Sequence, residues 1–191
     1  MWPVVLHGDE ITLRPARFRD RARWNNVRAE NREWLSPWEA TLPQIPDDSP
    51  ASEFHTKRPS FFEMVANLNR EARAGRSYSF LIWNGSNLVG QITMGGVMYG
   101  ALRGAHIGYW IDRNFANRGF TTQAVKLVSA FGFSQLGLHR IEINVRPENA
   151  ASCRVAEKAG FELEGHRKAF LHIDGAWRDH ICFVKNNELI K

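Results

Sequence analysis

The chain has 191 residues, of which 43% are hydrophobic and 24% charged, and its net charge at pH 7 is +5. This composition is typical of one globular domain, predicted to span residues 1–191. A chain of this length can bury a sizeable core without stabilising disulfides or metal ions. The positive charge favours an anionic partner such as a nucleic acid, a ribosome, an acidic protein or a phosphorylated cofactor.

The same composition excludes several classes of protein. The two cysteines, Cys153 and Cys182, are too few for a disulfide framework, which favours a reducing cytoplasm. The first ten residues lack the basic and apolar regions of a signal peptide. No apolar run approaches the roughly 20 residues of a membrane helix. We therefore expect a soluble cytoplasmic protein without a membrane partner.

The first third of the chain predicts one strand and two helices. Residues 10–16 alternate as a strand, and Asp20 is placed to cap the helix that follows. One face of that helix carries Trp24, Val27, Asn31, Trp34 and Leu35. A loop with four prolines covers residues 36–52. Residues 60–75 predict a second helix, with Ser60 and Glu63 at capping-box spacing and Gly75 at its end.

The remainder predicts a strand hairpin, a lone strand, a helix, a strand, a helix and a final hairpin. The first hairpin turns over residues 84–87, and the last turns at Asp174-Gly175. Between them lie a strand over 104–112, a helix from 120 to about 137, the strand HRIEINV and a helix that ends at Gly160. This order predicts an α+β fold class.

The loop DRNFANRG lies between a predicted strand end and a predicted helix start. A helix N-terminus offers free N–H groups and the positive end of a dipole, so it binds anions. Gly119 permits close approach of the backbone, and Arg113 and Arg118 add positive charge. The pattern therefore favours a phosphate site, although a plain connection stays possible. The fingerprints of nucleotide P-loops and dinucleotide-binding folds are both missing.

A second segment, VRPENAASCRVAEKAGFELEG, places Asn149 and Ser152 at the entrance of a helix. Together the two segments resemble the GNAT superfamily of acyl-CoA-dependent N-acyltransferases. In that family the pattern Q/R-x-x-G-x-G/A binds the cofactor pyrophosphate. Gly119 keeps this pattern, whereas Ala116 and Thr121 depart from it. The second family pattern, N-x-x-S…A…K-x-G-F, is complete in this chain.

Two further segments, ENREWLSPWE and LHIDGAWRDHI, are similar to the RimJ/RimL branch, whose members acetylate the N-terminal alanine of ribosomal proteins. The resemblance implies a GNAT fold with a mixed, splayed sheet of about seven strands flanked by about four helices. It implies acetyl-CoA as co-substrate and no metal. The acceptor would be a protein N-terminus, as in a ribosomal protein that begins with alanine or serine.

The resemblance also assigns roles to particular residues. The strand with Trp110 would splay from its neighbour, so that its free backbone pairs with the pantetheine arm and supplies an oxyanion donor. The implied cofactor-binding residues are Trp110, Ile111, Arg113, Asn117, Arg118, Gly119, Phe120, Thr121, Asn149 and Ser152. Ser152 is the candidate general acid at the sulfur, and its alternative role is a helix N-cap. Asn149 has the same alternative.

The base and the acceptor residues are less constrained. His106 is the candidate base because an unperturbed imidazole has a pKa of about 6.5. Glu142 is the other candidate, and a surface histidine is the alternative reading of His106. The implied acceptor residues are Trp38, Glu39 and Tyr109.

The choice of acceptor amine decides how strong a base is needed. At pH 7.4, deprotonating an α-amine of pKa about 7.8 costs ~0.5 kcal/mol, whereas a lysine of pKa about 10.4 costs ~4 kcal/mol. An enzyme that acts on N-termini needs little help from a strong base. The lack of an obvious base in the sequence therefore favours an α-amine.

Two other functions stay open. A small amine such as an aminoglycoside or polyamine would need acidic residues in its cleft, and Glu39, Asp47 and Asp48 could supply them. A non-catalytic ribosome- or RNA-binding protein would keep the fold without turnover. No motif with interleaved aromatic and basic residues is found, so direct nucleic-acid binding is not predicted. The histidines near the end, His166, His172 and His180, match no standard zinc spacing.

Overall fold

The computed structural model describes residues 2–44 and 59–188, which form one mixed sheet with helices packed on it. In these ranges the strands are β1 (Leu6–His7), β2 (Thr12–Arg14), β3 (Tyr78–Asn84), β4 (Asn87–Met98), β5 (Gly104–Ile111), β6 (Arg140–Val145), β7 (Glu162–Ile173) and β8 (Ala176–Asn186). The α-helices are α1 (Arg21–Glu30), α2 (Arg32–Leu35), α3 (Phe61–Arg73), α4 (Phe120–Ser134) and α5 (Ala150–Lys158).

The strand order is β1-β2-β3-β4-β5-β6-β8-β7, and every neighbouring pair is antiparallel except β5 with β6. Helix α4 lies in the crossover between these two strands, since parallel strands need a long connection. The larger core joins the sheet to α4 and α5, with Ile92, Val125 and Ile141 fully buried. A smaller core packs α1 and α3 on the sheet around Val65 and Leu81.

The predicted α+β class and the mixed, splayed sheet are confirmed. The described residues contain eight strands and five α-helices, against about seven and about four expected. The capping box forms as predicted, because Ser60 Oγ accepts from the Glu63 N–H and Glu63 accepts from the Ser60 N–H. Gly75 follows α3 with a φ of +74°, a conformation that glycine adopts without strain. No helix in these ranges has the length and apolar content needed to span a membrane.

Two expectations at the start of the chain were wrong in detail. The first strand is shorter than 10–16 and is preceded by the short β1, whose two residues gave no periodic signal. Asp20 stands at the N-cap position of α1, but its side chain does not cap that helix. Its carboxylate binds the guanidinium of Arg14 at 2.7 and 2.8 Å and the Arg17 N–H at 2.8 Å. Although burial opposes ionisation, these partners lower the pKa of Asp20.

The helical face predicted from Trp24 to Leu35 is split between α1 and α2. Asn31 separates them with φ −103° and ψ 13°, and its side chain is buried. The long helix also ends earlier than expected, at Ser134 rather than near Gly137.

Candidate active site

A gap opens in the sheet where β5 and β6 diverge. These strands pair over residues 104–106 and 140–142, after which β5 continues to Ile111 without a partner on that side in the described chain. The divergence agrees with the expected splay. A cavity of about 190 Å³ lies at the gap. Its polar lining comes from Tyr109, Asn144, Arg146, Asn149, Ser152 and His180.

The loop that follows β5 brings backbone N–H groups to the start of α4. Gly119 is the residue before α4 and has a φ of +82°, and Asn117 has a φ of +62°. Both values lie in the left-handed region, where glycine and asparagine are the usual residues. The first N–H groups of α4, including those of Phe120 and Thr121, have no partner inside the helix. This arrangement suits an anion such as a pyrophosphate.

Space around the loop also suits a ligand. A Cβ added at Gly119 would have no atom within 4 Å. Arg113 and Arg118 are exposed, and their guanidinium groups lie 5.9 Å from the Trp34 ring and 5.0 Å from the Phe115 ring. The loop therefore combines free backbone donors with two nearby cations.

A buried polar pair anchors this loop to the end of α1. The Asn31 side chain donates to Asp112 Oδ1 at 3.0 Å and accepts from the Arg113 N–H at 2.8 Å. Asn31 and Asp112 are 2% and 4% exposed, so solvent does not compete for these bonds. Sequence reasoning placed Asn31 only on a helix face. The signal that could have identified it is a polar residue among apolar ones on that face.

Helix α5 is capped by Asn149 and not by Ser152. The Asn149 side chain accepts from the Ser152 N–H at 3.0 Å, which confirms the capping role considered for Asn149. The N-cap alternative for Ser152 was wrong, since Ser152 is already the third residue of the helix. Its side chain lines the cavity, as the predicted role at the sulfur requires.

Tyr109 lies in the gap beside Ser152. Its hydroxyl donates to the Ser152 carbonyl oxygen at 3.3 Å. Burial raises the pKa of Tyr109 well above its usual value, so the phenol stays protonated. Tyr109 therefore joins the middle of β5 to the first turn of α5.

Residues 38–41, which follow α2, border the cavity. Trp38 lines the cavity, and the Arg146 guanidinium lies 5.3 Å from its ring. Ala40 forms an isolated bridge with Ile173, and the Thr41 N–H donates to the His172 carbonyl oxygen at 2.9 Å. These bonds hold residues 38–41 against the β7–β8 hairpin.

Glu39, the other residue expected at the acceptor, is not among the cavity-lining residues. Its carboxylate binds the Arg28 guanidinium, which also lies 5.2 Å from the Trp110 ring. No described cavity-lining residue is an aspartate or glutamate. The acidic residues Asp47 and Asp48 lie outside the described ranges.

The two candidate bases lie away from the cavity lining. His106 is exposed, and its ring packs so closely on β4 that a Cβ added at Gly96 would lie 2.9 Å from it. Partial desolvation lowers the pKa of His106, while the charge of Glu142 opposes the shift. Glu142 binds Arg140 at 2.9 Å and Arg167 at 2.6 Å. Burial raises and the two arginines lower the pKa of Glu142, and the net shift is downward. The role of His106 stays a prediction.

Arg140 also contacts a cluster of possible metal ligands. Atoms of Glu142, Glu164 and Cys182 lie within 4.8 Å of one another. Arg140 binds both carboxylates, and its positive charge opposes a cation there. This cluster is better described as part of an ion-pair network.

Sequence reasoning missed three polar residues of the cavity, Asn144, Arg146 and His180. Asn144 and His180 lie on the neighbouring strands β6 and β8, and Arg146 directly follows β6. His180 was considered only as a zinc ligand, and Asn144 was not considered. The available signal was the alternation of β6, in which every second residue is polar. Because alternate residues of a strand point to one face, these polar side chains share a face of the sheet.

Comparison with known proteins agrees with this geometry. Residues 10–162 match the family model described as Acetyltransferase (GNAT) domain. The Bacillus subtilis (strain 168) protein named Probable N-acetyltransferase YjcK is 33% identical over 178 residues, which are 92% of this chain and 93% of that protein.

Two further proteins are similar over nearly the whole chain. The Escherichia coli (strain K12) [Ribosomal protein uS5]-alanine N-acetyltransferase is 28% identical, over 93% of this chain and 88% of its own length. The solved structure of Mycobacterium smegmatis RimJ in complex with CoA-disulfide is 36% identical, with a TM-score of 0.87, and covers 99% of this chain and 90% of that one.

Proposed function

Because the chain belongs to the GNAT acetyltransferase family and is an acetyl-CoA-dependent acetyltransferase of the RimJ/RimL type, we propose that it acetylates the N-terminal amine of a protein. The acceptor is a ribosomal protein that begins with alanine or serine. The E. coli relative, whose name specifies an alanine of ribosomal protein uS5, supports this assignment.

The observation that carries the proposal is the charge of the cavity. Its described lining contains Arg146 and no carboxylate, and Glu39 is already paired with Arg28. A polyamine or aminoglycoside carries several cations, which need acidic partners to bind. A single α-amine that is partly neutral at physiological pH needs no such partners. This difference favours an N-terminus over a small polycation.

The cofactor side of the reaction is assigned to backbone groups and to Ser152. The free N–H groups at the start of α4 and the left-handed Gly119 suit the pyrophosphate, with Arg113 and Arg118 nearby. The edge of β5 beyond its pairing with β6, at Trp110 and Ile111, suits the pantetheine arm and an oxyanion donor, and the Ile111 carbonyl oxygen there accepts from Trp34 Nε1 at 3.1 Å. Asn117, Phe120, Thr121 and Asn149 complete the cofactor site.

The thioester supplies an acetyl group that an amine attacks directly, and the departing sulfur requires a proton. Ser152 lines the cavity, and its Oγ is assigned as the donor of that proton. Tyr109 fixes the backbone of Ser152 through its hydrogen bond to the carbonyl oxygen. Trp38 also lines the cavity and is assigned to the acceptor side.

The proposal is tested with one peptide that begins with alanine and contains an internal lysine. Incubation with acetyl-CoA should place acetyl on the N-terminus, located by tandem mass spectrometry. The same peptide with a blocked N-terminus is the control and should stay unmodified. A panel of polyamines and aminoglycosides is assayed in parallel. Faster labelling of the lysine or of a small amine would contradict the proposal.

A further inference from the structure

His180 lies in the wall of the cavity and has no role in the function described so far. It is 3% exposed and lies on β8, next to Ile181, which pairs with Val145 of β6. The cavity lining includes both His180 and Ser152. A buried histidine in a reaction cavity needs a polar partner or a ligand, because burying an unpaired polar group is costly.

The hydrogen bond of His180 determines which ring nitrogen is free. Nδ1 lies 3.0 Å from the Arg178 carbonyl oxygen. A carbonyl oxygen only accepts, so Nδ1 carries the hydrogen in the neutral ring and Nε2 keeps its lone pair. In the described part of the chain Nε2 has no hydrogen-bond partner. The edge-on Phe170 ring, 5.7 Å away at 72°, holds the imidazole in place.

A second unpartnered acceptor lies on the neighbouring strand. Asn144 Oδ1 is buried without a hydrogen-bond partner among the described residues, and Asn144 lines the same cavity. Leaving a buried acceptor unpaired is costly. Asn144 lines the cavity, so a rotation of its amide toward the cavity would pair Oδ1 with a ligand that donates hydrogen bonds, and an amine is such a donor.

The charges around His180 favour its neutral form. Burial is the main cause that lowers the pKa of His180, and the nearby positive charge of Arg146 acts in the same direction. The Arg178 carbonyl and the charges of Glu148 and Asp179 oppose the shift. A neutral imidazole with a free Nε2 is the form that can accept a proton.

We propose that His180 is the general base of the acetyl transfer and that Asn144 orients the acceptor amine. As the amine nitrogen bonds to the acetyl carbon and the C–S bond breaks, the amine proton moves to His180 Nε2. Ser152 Oγ gives its proton to the departing thiolate. His180 then releases its proton to solvent, and Ser152 regains one from solvent. The inference rests on the proposed function, because it assigns the base of that reaction.

His106, the base expected from the sequence, is the competing candidate, so its variant is compared with that of His180. Both histidines lie on interior strands of the same sheet, but His106 is exposed and is not among the cavity-lining residues. The variants are His180→Asn and His106→Asn. An asparagine amide at 180 can still donate to the Arg178 carbonyl, so the local bond is kept while the base is lost. Melting temperatures check that each variant is folded.

The primary measurement is kcat/KM against pH with acetyl-CoA and the alanine peptide. For the wild type, kcat/KM should fall at low pH with two pKa values. One is the pKa of the acceptor amine, and the other should equal the pKa of His180 measured by NMR. In His180→Asn the second pKa should disappear and kcat should fall about 10²- to 10⁴-fold. His106→Asn should keep both. Asn144→Ala should raise the KM for the peptide and keep the second pKa.

The outcomes separate this inference from the proposed function. If the wild type acetylates a small amine instead of the peptide, the proposed function fails and the profiles are measured with that amine. If a folded His180→Asn keeps the wild-type rate and pH profile, the inference is overturned.

A further readout does not depend on turnover. With CoA and the alanine peptide bound, the ¹⁵N shift of His180 Nε2 should change and that of His106 should not, and an unchanged His180 signal would also overturn it.

Discussion

The two sides of the cavity are built in different ways. The proposed cofactor side is made mostly of backbone, from the loop after β5, the start of α4 and the first turn of α5. The proposed acceptor side is made of side chains from distant parts of the chain, with Trp38 after α2, Asn144 on β6 and His180 on β8.

This difference reflects the different chemical demands of the cofactor and of the acceptor amine. A pyrophosphate and a pantetheine arm are constant, so free N–H groups and a strand edge are sufficient to bind them. An acceptor amine must be oriented and deprotonated, which requires specific side chains. We therefore expect changes to the phosphate loop to weaken or abolish cofactor binding, and changes to reacting side chains on either side to affect rate and pH dependence.

The largest expected effect comes from Gly119→Glu. A carboxylate there repels the pyrophosphate, and a non-glycine residue at a φ of +82° is strained. A ligand present at 100 times its Kd stabilises a protein by about 2.7 kcal/mol, and this thermal shift with acetyl-CoA should vanish. Gly119→Asn is the control, since Asn117 already adopts a φ of +62° in the same loop. An undiminished shift in Gly119→Glu would mean that the phosphates bind elsewhere.

The second effect separates chemistry from binding on the cofactor side. Ser152→Ala should lower kcat about 10²- to 10⁴-fold and leave the affinity for acetyl-CoA nearly unchanged. Because Asn149 is the cap of α5, Ser152→Ala should hardly change the melting temperature. Asn149→Ala is the comparison and should lose about 1 kcal/mol of stability. Normal turnover in Ser152→Ala would remove this serine from the mechanism.

The smallest effect concerns the support of the phosphate loop. Asn31→Ala removes one of the two hydrogen bonds that buried Asp112 Oδ1 accepts and leaves the Arg113 N–H without its side-chain acceptor, so it should lose about 1–3 kcal/mol of stability. Its affinity for acetyl-CoA should fall about tenfold, which corresponds to ~1.4 kcal/mol.

Asn69→Ala is the matched control for Asn31→Ala. Asn31 and Asn69 both donate to the carbonyl oxygen four residues earlier, and Asn69 also accepts from Trp2. Asn69→Ala should lose stability without loss of affinity. Equal affinity loss in both variants would indicate that general destabilisation, and not the loop anchor, is responsible.

The sequence predicted those parts of the fold that depend on neighbours in the chain. The Ser60 capping box, the turn at Asp174-Gly175 and the left-handed Gly160 are encoded within a few residues. Asp20 was misassigned because its position does suit a cap, but the partly buried Arg14 guanidinium is a stronger partner for its carboxylate. The break at Asn31 depends on Asp112, 81 residues later, which no local pattern reports.

The residues of the candidate site fall into the same two groups, those encoded in short motifs and those brought together by the sheet. Gly119, Asn149 and Ser152 belong to short motifs, so sequence reasoning identified them. Asn144 and His180 face one cavity only because β6 pairs with β8, and that pairing follows from the whole sheet. His106 was a candidate base from its strand position and the usual pKa of imidazole, with a surface histidine as the alternative, and its side chain lies over β4 and is not among the cavity-lining residues.

The short pairing between β5 and β6 also has a mechanical consequence. From β3 onward the sheet consists of two well-bonded plates, β3–β5 and β6–β8, whose hydrogen-bonded seam covers residues 104–106 and 140–142. Bending strain concentrates where the fewest bonds resist it, so the plates deform at this seam before either deforms within itself. The gap is narrowest at the seam and widens away from it. An extended ligand bound in the gap would bridge the two plates and make the sheet stiffer, and its release would make the sheet flexible at the seam again.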